Sequence, residues 1–161
     1  MPPDRRDTAA APLDWVLVAN AARARCFLHD PANRALQELQ RFAHPASRLA
    51  GTDLERDRGG QVRKSAASTQ FAPHADPHDK QLEAFARTLA EHLEAAALAH
   101  QYRRVSLIAS KALLGALRAQ LGGATRALLG PCIGRDLTAW DGTALEHRVA
   151  EALEAAAGDQ P

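Results

Sequence analysis

The chain has 161 residues, 46% hydrophobic and 24% charged, enough for one domain with its own core and too apolar for disorder along most of its length. A formal net charge of +1 excludes a globally basic, histone-like nucleic-acid binder and leaves only a local cationic patch. Aromatic residues make up 4%, too few for a row of stacking platforms along single-stranded nucleic acid.

Residues Met1 to Pro12 mix prolines, charges and alanines without a period and read as a tail. They contain no apolar h-region, and nowhere does the chain approach the ~18 uncharged apolar residues of a membrane span, so neither export nor membrane insertion is expected. Two cysteines, Cys26 and Cys132, form no framework and no CxxC pair. They imply a reduced, cytoplasmic setting and read as small core fillers.

Order is expected from Asp14. Trp15 to Ala19 is a compact apolar run ending at Asn20, and Arg25 to His29 is a second short strand bounded by Asp30 and Pro31. Leu36 to Phe42 carries an imperfect apolar–polar alternation and reads as a half-exposed third strand. Short connections make these three an antiparallel meander.

Between Ala43 and Ala75 no period persists, and Pro, Gly, Ser, Asp and Arg dominate. Loops this long usually carry function or stay mobile. From Arg41 to Lys64, six cationic residues face only Asp53, Glu55 and Asp57, a local excess larger than that of the whole chain. Within it, Leu54 to Ser65 reads LERDRGGQVRKS: Gly59 and Gly60 bare the backbone, and Arg58, Arg63 and Lys64 around Gln61 offer donors to a phosphate. A solvated loop of mixed charge is the competing account.

Helical signals follow. Asp76 can cap, Pro77 suits the first helical position, and Leu82, Phe85, Ala86, Leu89, Leu93 and Ala96 recur at three- and four-residue spacing over 77–100. Glu83, Arg87 and Glu91 mark the opposite face. Val105 to Ala109 is a buried-type strand, after which Ser110 caps a helix carrying Leu113, Leu114, Leu117 and Leu121 that Gly122 and Gly123 stop. Arg126 to Gly130 reads as the last strand, and Thr143 with Glu146 as the capping box of a final helix. The order β-β-β-α-β-α-β-α predicts an α/β domain over 13–157, with a mobile loop over 43–76 and tails at 1–12 and 158–161. Its mixed five-stranded sheet should run 3-2-1-4-5 with helices on both faces, as in ribonuclease-H-like folds.

Taken together, WVLVANAARARCF (Trp15 to Phe27), HPASR (His44 to Arg48), LERDRGGQ, VSLIASKALLGALRAQL (Val105 to Leu121) and RDLT (Arg135 to Thr138) resemble the bacterial host-attachment protein family. The family's loop usually reads closer to Asp-Arg-Pro-Gly-Arg, where this chain has Asp57, Arg58, Gly59, Gly60 and Gln61. The resemblance implies a role in attachment to host cells and a relationship to the middle domain of archaeal and eukaryotic peptide release factors. That middle domain carries a Gly-Gly-Gln loop ahead of a long helix. By this resemblance Arg56, Asp57, Arg58, Gly59, Gly60, Arg63 and Lys64 would meet tRNA or ribosomal RNA, and Gln61 would position a water or stabilise the oxyanion in peptidyl-tRNA ester hydrolysis. The alternative is a non-catalytic module that binds a protein partner in support of attachment.

Other constellations yield less. A nuclease of this fold needs clustered carboxylates for two metals, and neither Val16 to Val18 nor Val105 to Ala109 supplies an acid. His74 and His78, with Asp76 and Asp79, have a zinc-like spacing but no third ligand, so they read as loop histidines and no metal or cofactor is expected. Cys26 sits in an apolar strand, where a thiol is inert packing. Trp15 and Trp140 read as core or edge anchors.

Overall fold

The computed structural model describes residues 13–44 and 77–158. β1 (Asp14–Ala19), β2 (Arg23–Asp30) and β3 (Ala35–Ala43) form the expected antiparallel meander. Its turns are built by side chains that mimic backbone: Asn20 Oδ1 accepts the Ala22 and Arg23 N–H groups at 2.9 and 3.0 Å, and Asp30 Oδ1 accepts Ala32 N–H at 3.0 Å. The imperfect alternation of the third strand has a physical cause. Cys26 pairs with Gln40 and Phe27 with Glu38, so Leu39 is the extra residue of a β-bulge and stands 40% exposed.

β4 (Val105–Ala109) is buried at every residue and pairs parallel with β1 on one side and β5 (Leu129–Gly134) on the other. The five strands form one mixed sheet in the expected order β3-β2-β1-β4-β5. Because side chains alternate between faces, β1 and β4 feed two cores. On one face Trp15, Leu17 and Leu107 pack against Phe85, Leu89 and Leu93 of α1 (Pro77–Leu98) and Leu113 and Leu117 of α2 (Lys111–Gln120). On the other, Val16, Val18 and Ile108 meet Leu145, Val149 and Ala152 of α4 (Gly142–Gly158). Each fully buried Leu or Phe contributes roughly 1.5–3 kcal/mol of transfer free energy. Glu83, Arg87 and Glu91 lie on the exposed side of α1, as their spacing predicts.

Three local expectations are corrected. The last strand is Leu129–Gly134, not Arg126 to Gly130, because residues Gly123–Ala127 form a short helix, α3. A tertiary contact makes that helix possible: Glu94 on α1 accepts the Ala124 and Thr125 N–H groups at 3.1 and 3.0 Å and the Thr125 hydroxyl at 3.0 Å. A Cβ on Gly122 would overlap this carboxylate, so the glycine that reads as a stop signal serves as room for a cap. Pro131 is tolerated inside β5 because β5 is an edge strand. The capping box is not formed either: Asp141 O accepts Leu145 N–H at 3.1 Å, while Glu146 Oε2 takes the Leu36 N–H at 3.1 Å. Ser110 does stand at the N-cap of α2, but its hydroxyl makes no capping bond. Backbone bonds fix the junction, Ser110 N–H to Ala19 O at 3.1 Å and Leu114 N–H to Ser110 O at 2.8 Å.

Candidate functional site

The loop singled out in the sequence, Arg56, Asp57, Arg58, Gly59, Gly60, Gln61, Arg63 and Lys64, lies outside the described residues, as do His74 and Asp76. What is described is where its flanks attach. His44, the last described residue after β3, donates its N–H to Ala22 O at 2.9 Å, and its ring stacks at 4.9 Å on Phe85, two turns into α1. The chain therefore enters residues 45–76 at the end of the sheet where β1, β4 and β5 end and β2 begins, beside Phe85 of α1. In open α/β sheets the carboxyl ends of parallel strands are the usual ligand-facing side.

That edge is closed by a polar clamp. Asn20 Nδ2 donates to Asp136 Oδ2 at 3.1 Å and to Thr138 Oγ1 at 2.9 Å, and Thr138 donates its own N–H and hydroxyl to Asp136 Oδ1 at 2.9 and 2.6 Å. Burial alone would raise the Asp136 carboxyl. The hydrogen bonds from Thr138 and Asn20, with Arg23 nearby, outweigh it and hold the group below its ordinary 3.8. The clamp orders the segment after β5 and fixes Trp140 beside the meander.

Beside the clamp, Arg23, Arg25, Arg41, Thr138, Trp140 and Asp141 line an open cavity of about 300 Å³. Strand geometry explains the convergence: Arg23 and Arg25 are two apart on β2, and Arg41 is the register partner of Arg25 on β3. Two arginines face to face repel. Glu38, brought to the same face by the bulge, takes two hydrogen bonds from Arg41 at 2.6 and 3.0 Å and lies 3.9 Å from Arg25. The Arg41 hydrogen bonds hold the Glu38 carboxyl below 4.5. Arg25 also donates to Trp140 O at 2.5 Å, and the Arg148 guanidinium covers the Trp140 ring at 3.7 Å. Arg23 is exposed and has no ion-pair partner among the described residues.

Of the remaining sequence candidates, Cys26 is fully buried and its thiol is pushed up to about 12 by desolvation, which suits packing and not nucleophilic chemistry. Trp15 is a core residue, its ring tilted against Tyr102 at 4.9 Å, while Trp140 is 38% exposed at the clamp. Among the described residues no group of three or more His, Cys, Asp or Glu side chains is placed to hold a metal ion, and no helix is long and apolar enough to cross a membrane. Sequence reasoning missed the Arg23–Arg25–Arg41 cluster. The every-second spacing of Arg23 and Arg25 was a usable signal for β2, whereas Arg41 required knowledge of the bulge.

The fold and this edge define an α/β domain of one mixed sheet whose carboxyl-end edge gathers cations. A family model described as "Protein required for attachment to host cells" matches residues 15–149, and the chain belongs to that family. No curated protein matches the chain.

Proposed function

We propose that this protein binds the phosphate backbone of RNA, on tRNA or the ribosome, in a translation-related role akin to release or rescue. The observation that carries the reading is the shared edge: at His44 the chain enters the segment that contains Arg56 to Lys64 from the same end of the sheet where Arg23, Arg25 and Arg41 converge. Cations on one edge meet a polyanion by releasing its counterions, and guanidinium groups bond phosphate oxygens in pairs. Arg56, Arg58, Arg63 and Lys64 would extend the patch, with Asp57 ordering its neighbours and Gly59 and Gly60 allowing close backbone approach. The release-factor relationship that the resemblance implies would add a catalytic version, in which Gln61 positions the water that attacks a peptidyl-tRNA ester.

The test is cosedimentation of the purified full chain with ribosomes across a salt series. Binding that weakens as salt rises and is lost in Arg58→Glu/Arg63→Glu supports the proposal; salt-independent or mutation-insensitive cosedimentation refutes it. Peptidyl-tRNA hydrolysis that persists in Gln61→Ala would remove Gln61 from any mechanism. The second reading, a non-catalytic protein-interaction module supporting attachment, rests on the description of the family. It gains if no RNA or ribosome binding is found at low salt.

A further inference from the structure

The opposite edge of the sheet holds a cavity that the proposed function does not use. It lies on the α4 face and measures about 250 Å³. Asp14 of β1, His29 of β2, Arg104 and Ser106 of β4 form its polar lining, and Pro131 and Leu153 are among its apolar walls. At roughly 30 Å³ per water in the liquid, this is space for about eight waters, well beyond a packing defect.

Two of the polar groups are almost wholly withdrawn from solvent. His29 is 7% exposed and Ser106 is 6% exposed, both line the cavity, and neither carries a side-chain N or O atom that is wholly buried without a partner. Polar groups held at a cavity wall favour a polar occupant over an apolar one. The backbone is shaped around the same spot. Val105 pairs with Leu129 and Leu107 with Cys132, so the register slips opposite Ser106 and Gly130–Pro131 form a bulge there. Bulges commonly re-aim side chains beside binding sites. Gly130 leaves room there: a Cβ at that position would lie 2.6 Å from Arg104 Nε and 3.3 Å from Ser106 Oγ, so the bare glycine lets both side chains approach one point.

The charges select the occupant's sign. Asp14 is already taken by Arg103, whose Nε and Nη2 donate to Asp14 Oδ1 at 3.1 and 2.9 Å. Arg104 has no ion-pair partner among the described residues. Burial, partly opposed by Asp14 and Asp30, holds His29 below 6.5, so at neutral pH its imidazole is uncharged and offers one donor and one acceptor. The residue types suggest a Ser-His-Asp hydrolase, but β1 separates His29 on β2 from Ser106 on β4, and no hydrogen bond joins them. The arrangement binds; it does not relay a proton.

We propose that this cavity is a binding site for a small organic carboxylate with a short apolar body, its charge met by Arg104, its oxygens by Ser106 and His29, and its body by Pro131 and Leu153. The test is an NMR titration of the full chain with butyrate, with n-butylammonium and inorganic phosphate as comparators. Butyrate should give saturable shifts at the His29 ring and the Ser106 and Gly130 amides, with affinity falling ~10-fold or more in Arg104→Gln, as expected when a charge-assisted hydrogen bond is removed. Ser106→Ala, a substitution small enough to leave the fold intact, should weaken binding in the same direction. Absence of saturable shifts at these positions, an equal response to n-butylammonium, phosphate binding as tight as butyrate, or unchanged affinity in folded Arg104→Gln would each overturn the proposal.

Discussion

The two faces of the sheet are covered unequally, and the inequality locates what is available for function. The face under α1 and α2 buries Trp15, Phe85, Tyr102 and a run of leucines in one large cluster; the Tyr102 hydroxyl donates to Leu93 O at 2.9 Å, while His92 and His44, stacked on Trp15 and Phe85, each keep a buried Nε2 without a hydrogen-bond partner among the described residues. Among the described residues, the other face has α4 alone. Its core is a small cluster around Val16, Val18, Phe27 and Ile108, and at both ends the sheet runs out from under the helix. One end exposes Arg23 and Arg41 beside a largely buried Arg25, and the other opens onto His29 and Ser106. Two helices make a layer for stability, whereas a single helix leaves sheet surface for ligands.

The largest expected effects separate the faces by stability. Leu93→Ala, in the thick layer, should cost ~3–5 kcal/mol in chemical denaturation, and Leu145→Ala, beneath the lone helix where neighbours can relax, ~2–3 kcal/mol. Equal losses would mean that the two cores are equally constrained. Next in size is the clamp. Asn20→Ala removes donors to Asp136 and Thr138 and the acceptor for two backbone N–H groups. A destabilisation of ~1–2 kcal/mol and faster amide exchange across residues 135–141 are expected.

Acid should expose the same interactions. Asp136 and Glu94 both have folded values below their ordinary ones, 3.8 and 4.5, Glu94 chiefly through the Thr125 backbone hydrogen bond. A depressed folded value means that the carboxylate stabilises fully above its unfolded value and that this contribution is lost as pH falls through the folded one. Stability measured from pH 5 downward should therefore drop less steeply in Asp136→Asn and in Glu94→Gln than in the parent, and an unchanged slope would show that these hydrogen bonds do not persist in solution. The smallest effect belongs to Arg34→Ala. Its 2.6 Å pair with Glu154 joins side chains 56% and 61% exposed, and its removal should cost below about 1 kcal/mol.

Much of the fold was legible in the sequence because period and punctuation are local. Trp15 to Ala19 and Val105 to Ala109 declare buried strands, Pro77 opens a helix, and the order of elements gives the strand order. What escaped was set at a distance. The helix at Gly123–Ala127 exists because Glu94 reaches across from α1, and Pro131 lies within a strand because that strand is at the edge. The site was legible only in part for the same reason. A cationic loop shows in composition, but Arg41 joins Arg25 through pairing with a bulge, and Ser106 and His29 share a cavity across an intervening strand, neither of which any spacing encodes.

The central claim is that polyanions meet the edge carrying Arg23, Arg25 and Arg41 and not the opposite one. Fluorescence anisotropy with a short single-stranded RNA, repeated over a salt series, tests it directly. The affinity of Arg23→Glu/Arg41→Glu should fall and its log K against log salt should flatten by ~0.7 for each phosphate no longer neutralised, while Arg104→Gln at the far edge should bind as the parent does. Parent-like binding by the double variant, or weakened binding confined to Arg104→Gln, would contradict the account.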